Sequence, residues 1–290
     1  MDEIKLRYFI SVANRKNFAL AAMDQHVVPS TMSRQIAALE EEFGTPLFTR
    51  TTHRVELTEA GARLFEQATS YLVQYEKINA NVRNLLTRDE HRILIASGPY
   101  EAPLIIKAGK LYRQADPALE FHIQRGRYYD YAQRLRAGAI NLLFTLKPAV
   151  AELPDCVYTS LGTYQWKAIA DRDSGFWQLP PEDRALLRGY KLVKSKDEDI
   201  DPVADYVKTH KTEHLGVSLA GTFTMSCVQA SLGGVALLPE YIAPWLPPEM
   251  RMEQIFPEPL EVESVLVFNP KSPNRHEHRF FEYIRDNFRP

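Results

Sequence analysis

Asn17-Phe18-Ala19-Leu20-Ala21-Ala22-Met23-Asp24-Gln25-His26-Val27-Val28-Pro29-Ser30-Thr31-Met32-Ser33-Arg34-Gln35-Ile36-Ala37-Ala38-Leu39-Glu40 reads as a helix, a break and a second helix. Asn17 can cap the first helix, because its side-chain oxygen accepts a backbone N–H. Pro29 suits the first turn of the second, where its missing N–H is one the helix would not use. Met32, Ile36, Leu39 and Phe43 follow at steps of four, three and four, which predicts one buried apolar stripe. About half a turn away, at 3.6 residues per turn, lie Ser30, Arg34, Ala37 and Glu41. Two short helices meeting at a tight break form a DNA-reading unit. The small polar N-terminal face, Ser30, Thr31, Ser33 and Arg34, is the part expected to reach base edges of double-stranded DNA in the major groove.

The flanks fit this reading. Leu6, Phe9, Ile10 and Ala13 predict an amphipathic helix before the unit, and Phe18, Ala21 and Ala22 allow close packing against it. After it, Leu47-Phe48-Thr49-Arg50 and Arg54-Val55-Glu56-Leu57 alternate as two strands around Thr51-Thr52-His53, a hairpin that reads as a wing. Arg50, Thr52, His53 and Arg54 are its candidate DNA contacts. The chain has a net charge of −2, but charge placement rather than the total defines a site. Arg34, Arg50 and Arg54 cluster on the second helix and wing, whereas Glu40, Glu41 and Glu42 are expected to point away from phosphate. A single head should bind DNA modestly, so useful affinity requires a dimer.

From Leu64 the positions Leu64, Ala68, Tyr71, Tyr75, Ile78, Val82 and Leu85 alternate steps of four and three. This heptad seam predicts a long helix packed on another helix. Arg88-Asp89-Glu90-His91-Arg92 follows as a solvated hinge, and Arg92-Ile93-Leu94-Ile95-Ala96 opens a βα alternation typical of parallel sheets. Further strands are expected at 120–124, 141–145, 165–170, 190–194, 215–219 and 261–268. Helices are expected near 101–114, 129–137, 202–209, 222–232 and 273–288.

Over about sixty N-terminal residues the chain resembles the LysR-type bacterial transcriptional regulators. The resemblance rests on Leu6-Arg7-Tyr8-Phe9, Phe18-Ala19-Leu20-Ala21-Ala22, Met32-Ser33-Arg34-Gln35-Ile36, Leu39-Glu40, Phe43-Gly44-Thr45-Pro46-Leu47-Phe48-Thr49-Arg50 and Leu57-Thr58-Glu59-Ala60-Gly61. The remainder matches more loosely, through its length, its alternating elements and the stretch Val228 to Pro239. The chain departs from the family pattern at Lys16-Asn17 and Val28-Pro29. Because Pro29 cannot hydrogen-bond a base edge, the operator is expected to be unusual.

The resemblance implies an α/β protein with an N-terminal all-α winged helix-turn-helix at 1–62 and a dimerising linker helix and hinge at 63–91. It implies a two-lobed, periplasmic-binding-protein-like effector domain at 92–290. Lobe I would take about 92–162 and 268–290, and lobe II about 163–267. Two crossing strands would join the lobes, with the C-terminal helix returning to the first. A small-molecule effector would bind between them. The implied partners are operator DNA and further copies of the chain, as a homodimer or homotetramer, and a contact with RNA polymerase is left open. The seam residues would form the pairing surface.

Ligands in parallel α/β sheets sit at the carboxyl ends of strands beside helix N-termini that favour anions. This selects Ser97, Gly98, Tyr100 and Glu101 after the first strand and Arg125, Arg127 and Tyr128 after the second. It also selects Thr145 and Lys147, then Ser195 and Lys196, then Thr222 and Phe223. Ser97, Ser195 and Thr222 match positions at which the family often contacts its effector. Arg125, Arg127 and Lys147 favour an anion, with Tyr100, Tyr128 and Phe223 to cover an apolar body; the alternative is that the arginines form a solvated face.

Several function classes fare poorly. No apolar run approaches the roughly 20 residues of a membrane span, and the acidic start, Met1-Asp2-Glu3-Ile4-Lys5, is unlike a signal peptide, so a cytoplasmic protein is expected. Cys156 and Cys227 have no metal-ligand spacing and are expected to be inert thiols; the stretch from 195 to 210, where some relatives carry peroxide-sensing cysteines, has none. His210-Lys211-Thr212-Glu213-His214 matches the H-x-x-E-H pattern of a zinc peptidase class but sits where a polar helix should end. His276-Glu277-His278 is expected to be the exposed face of the last helix. No cofactor, metal or catalytic residue is assigned. The competing reading is an α/β solute-binding or hydrolytic protein with an N-terminal helical interaction domain, which would need neither seam nor wing.

Overall fold

The computed structural model describes residues 2–50, 55–86, 91–125, 131, 134–135, 138–153, 155–195 and 202–290. The chain forms two compact units, 1–82 and 83–290.

The first unit carries α1 (Glu3–Arg15), α2 (Phe18–Asp24), α3 (Pro29–Phe43), β1 (Phe48–Arg50), β2 (Val55–Leu57) and the start of α4 (Glu59–Leu86). Local side-chain chemistry sets its boundaries. Asp2 accepts from the Ile4 N–H at the start of α1, and Asn17 Oδ1 accepts from Ala19 and Leu20 at the start of α2. Gly44, with φ 66°, takes the left-handed turn that ends α3. Phe9, Val12, Ala21, Ala22, Met32, Ile36, Leu39, Leu47 and Phe48 are the buried core. Phe43, expected in that stripe, is 44% exposed, because it lies on the last turn, where Gly44 turns the chain away. β1 and β2 pair antiparallel, Phe48 opposite Leu57. The hairpin tip, 51–54, lies outside the described residues. The helix expected from 63 starts at Glu59, since Thr58 Oγ1 accepts the Gly61 N–H and caps it earlier.

Among the described residues the second unit has nine strands in one continuous sheet: β3 (Arg92–Ser97), β4 (Glu120–Arg125), β5 (Leu142–Leu146), β6 (Val157–Asp171), β7 (Lys191–Ser195), β8 (Gly216–Ala220), β9 (Gly234–Pro239), β10 (Met250–Glu253) and β11 (Leu260–Phe268). Its helices are α5 (Ala102–Tyr112), α6 (Pro181–Ala185), α7 (Pro202–His210), α8 (Phe223–Ser231) and α9 (Arg275–Asn287). The order is β4-β3-β5-β11-β6-β9-β7-β8, with β10 beside β6. β3 is parallel to β4 and β5, and β7 is parallel to β8 and β9. Antiparallel β6 and β11 join these two parallel sets. They are the crossing strands of a two-lobed domain.

The crossing is marked by irregular backbone. The β11 register shifts between Ser264 and Val265, opposite a β6 bend where Gly162 holds φ 124°. Residues 264–268 pair with β5. β6 starts at Val157, eight residues ahead of the expected Gln165, because its first half is held by β11. β9 and β10 were not expected as strands. The expected helix at 129–137 falls mostly outside the described residues. α9 returns to the first lobe, where Phe280, Phe281 and Ile284 pack with Ile93, Leu104 and Phe268. Among the described residues no helix is long and apolar enough to cross a membrane.

Candidate functional sites

On α3 the stripe Met32, Ile36 and Leu39 is fully buried, which turns Ser30, Arg34, Ala37 and Glu41 outward; all four are exposed, and Thr31 and Ser33 are half-buried. The N-terminal half of this face is polar and bears one cation, the chemistry that reads base edges. Arg50 closes β1, but its side chain and all of Thr52, His53 and Arg54 lie outside the described residues.

Glu40 is a different residue from the one expected. Its Oε1 accepts the N–H groups of Leu47, at 2.9 Å, and Phe48, at 3.1 Å, so the carboxylate faces the wing's first strand. Only the nearby Gly44-Thr45-Pro46 turn, which brings the chain back toward the helix, could have hinted at this.

Along α4, Ala68 is buried and Leu64 and Tyr75 are half-buried, whereas Tyr71 is 47% and Ile78 60% exposed. The Tyr71 and Tyr75 rings stack with centroids 6.3 Å apart. The side chains of Val82 and Leu85 lie outside the described residues.

In the second unit the carboxyl ends of β3 and β5 bring Ser97, Gly98 and Thr145 together, all buried. Ser97 Oγ donates to the Gly98 carbonyl, and the Tyr131 hydroxyl donates to the Ser97 carbonyl. The Thr145 hydroxyl has no partner among the described residues. Tyr100 is 3% exposed and meets Trp166 edge-on at 5.7 Å, joining the loop after β3 to the lobe II half of β6. Trp166 was not selected from the sequence, where a lone aromatic in a strand reads as core. It is buried, and its indole N–H has no partner among the described residues. Glu101 is fully buried and accepts the Tyr100 N–H at 3.1 Å. Nearby Tyr241 has its hydroxyl held well above the usual phenol range, by burial first and then by the Glu101 charge.

Other selected residues have other work. Lys147, expected to attract an anion, pairs with Glu263 and sits 5.9 Å from the Tyr158 ring, so its charge is already met. That pairing raises the Lys147 amine and lowers the Glu263 carboxyl. Thr222 caps α8, its Oγ1 accepting the Met225 N–H at 2.9 Å, and Phe223 packs on the core of lobe II. Arg125 and Ser195 end β4 and β7, but their side chains, and all of Arg127, Tyr128 and Lys196, lie outside the described residues.

The H-x-x-E-H stretch is taken apart. His210 ends α7 with its ring stacked on Tyr206, Lys211 turns the chain with φ 48°, Glu213 pairs with Arg188, and His214 bonds Thr212. His276 and Glu277, expected on an exposed face, are buried, because the start of α9 packs against β3 and Ser272 bonds the Glu277 carboxylate. Cys227 is buried, and burial pushes its pKa up to about 11, which leaves the thiol protonated and unreactive at neutral pH.

Comparison with known proteins agrees with this layout. Residues 5–62 match the family model described as bacterial regulatory helix-turn-helix protein, lysR family, and residues 89–289 match the LysR substrate binding domain. The HTH-type transcriptional regulator IlvY of Escherichia coli K12 is 32% identical over 165 residues, covering 56% of this chain. That match spans 54% of IlvY, about half its length. The DNA-binding transcriptional dual regulator OxyR of the same organism is 27% identical over 296 residues, 93% of this chain and 90% of OxyR. The crystal structure of full-length CbnR complexed with its target DNA has the same fold, with a TM-score of 0.56, 19% identity and full coverage of both chains.

Proposed function

The chain belongs to the LysR family of bacterial regulatory helix-turn-helix proteins, and on that premise we propose that it is a sequence-specific transcriptional regulator, not an enzyme, switched by a small molecule bound between the lobes of its second unit. The observation that carries this is α3: one face locked into the core by Met32, Ile36 and Leu39, the other free and polar at Ser30 and Arg34. Ser30, Thr31, Ser33 and Arg34 read base edges, and Arg50 and the wing tip hold phosphate. Exposed Tyr71 and Ile78 on α4 support pairing of two chains through that helix, as a dimer or as a pair of dimers. The protein works in the cytoplasm, on promoters read by RNA polymerase.

The effector is an anion or another strong hydrogen-bond acceptor. Among the described residues the buried hydroxyl of Thr145 and indole N–H of Trp166 have no partner and both can donate, and a buried donor left unmet is costly. Arg125 ends β4 at the same end of the sheet. Lys147 does not contribute, being paired with Glu263.

Sequencing the fragments that the protein retains from its own genome tests the reading. The expected result is a small set of sites, each with two related half-sites about one helical turn or a multiple apart. Uniform retention of all fragments would overturn sequence-specific reading.

A further inference from the structure

Leu47 is gripped from two sides. On one, Glu40 near the end of α3 accepts its N–H and that of Phe48. On the other, the Leu47 carbonyl accepts the Thr58 N–H at 3.0 Å, and a Cβ added to Gly61 would lie 2.1 Å from that same oxygen. Thr58 Oγ1 also donates to the Pro46 carbonyl at 2.8 Å. Leu47 and Phe48 are 1% and 4% exposed, so their N–H groups depend on the carboxylate for a partner. Among the described residues the hairpin that starts here pairs over three, Phe48 to Arg50 against Val55 to Leu57, too little to hold its own direction in water. Its aim is therefore set by these anchors together with the packing of Leu47 and Phe48 in the core, and among the hydrogen bonds named here only those to Glu40 come from the helix proposed to read bases.

We propose that Glu40 is a positioning residue: it fixes the wing to the recognition helix and so sets how many phosphate contacts the wing makes. This rests on the DNA-reading assignment above. Glu40 touches no DNA in this account. Removing it should leave base reading by α3 intact while uncoupling the wing, a combination that general loss of stability would not produce.

The test measures binding of full-length protein to a selected operator and to a scrambled duplex across a salt series. Glu40→Ala should lower the slope of log affinity against log salt by about one or more, as loss of a wing phosphate contact does, with the operator-to-scrambled ratio held within about twofold. Glu40→Gln, whose amide oxygen can accept the same two N–H groups, should keep the wild-type slope. If Glu40→Ala fails to fold, Glu40→Asp serves, because its shorter side chain cannot reach both N–H groups and should also lower the slope. The proposal is overturned by an unchanged slope in the folded Ala or Asp variant, by loss of the operator-to-scrambled ratio, or by Gln behaving like Ala. Arg34→Ala and Arg54→Ala run beside them. If both bind like wild type, the DNA-reading assignment itself has failed, whatever Glu40 does.

Discussion

The first unit holds the base-reading candidates Ser30 and Arg34 in water, and the second hides the candidates at the carboxyl ends of β3 and β5. Ser30 and Arg34 stand exposed on α3, while Ser97, Tyr100 and Thr145 are 4%, 3% and 0% exposed. The difference follows from what each would meet. A DNA groove arrives with its own water and counterions and needs a surface already in place. A small ligand must be enclosed, so the groups that grip it are buried and, in its absence, some polar atoms go unmet. Substitutions in the head should therefore change binding with little effect on stability, and those between the lobes should change both.

Ile78 on α4, an apolar side chain 60% exposed, should give the largest effect. Ile78→Lys puts a charge into a helix interface and should weaken self-association at least tenfold, since burying an unpaired charge costs several kcal/mol. Operator affinity should fall with it. Light scattering that finds the same oligomer for wild type and variant would remove α4 as the pairing surface. Next, Arg34→Ala should cost about 1–3 kcal/mol of operator binding and relax preference at one base pair per half-site, with the melting temperature unchanged. A large drop in melting temperature would put Arg34 on the same footing as the buried residues and break the contrast.

Thr145→Val keeps the shape and removes a hydroxyl that has no partner among the described residues. It should stabilise the protein by about 1 kcal/mol while abolishing the ligand response, because the unmet group is the one kept for the ligand. Destabilisation in a denaturant titration would mean that the hydroxyl is satisfied in solution. Thr222 should behave in the opposite way. Its Oγ1 caps α8, so Thr222→Val should cost about 1 kcal/mol and Thr222→Ser very little. If the Val variant loses the ligand response and the Ser variant keeps it, the hydroxyl serves both purposes. Equal stability of all three would show that the cap carries nothing.

The same contrast governs what could be read from residues alone. Met32, Ile36 and Leu39 announce their helix because their contacts lie a turn away, and Asn17 caps its own neighbours, so the head was legible nearly to the residue. Glu40 was not, because its partners are backbone N–H groups beyond a turn, with no periodicity to mark them. In the second unit β5 lies beside β11 and Lys147 is answered by Glu263, pairings that depend on chain folded far away in sequence. β9 passed unseen inside Gly234-Val235-Ala236-Leu237-Leu238-Pro239, an unbroken apolar run with no alternation, as expected of a strand covered on both faces. The positions at the ends of β3 and β5 were legible from the general rule for parallel sheets, but their burial and the part played by Trp166 were not.

The smallest effect belongs to His276, read from the sequence as exposed and found 3% exposed at the start of α9. Neither ring nitrogen has a hydrogen-bond partner; Nδ1 lies 3.6 Å from Asp116 Oδ2, and the ring is 4.9 Å from that of His91. Burial lowers its pKa below the ordinary value near 6.5, and His91, Arg275 and Arg279 push the same way against Asp116. The folded state therefore binds this proton less readily than the unfolded chain. Its contribution is fully present above pH 6.5 and is lost as the pH falls through 6.5 toward the lower folded value, with a slope no steeper than about 1.4 kcal/mol per pH unit. Neighbouring Glu277 runs the other way, since burial raises its carboxyl and the fold holds that proton more tightly. Comparing wild type with His276→Gln cancels the Glu277 contribution common to both. Between pH 7.5 and 5.5 the wild-type melting temperature should fall further than that of the variant. Equal falls would mean that His276 takes up its proton as readily in the folded protein as in the unfolded chain, and that burial at this position carries no dependence on pH.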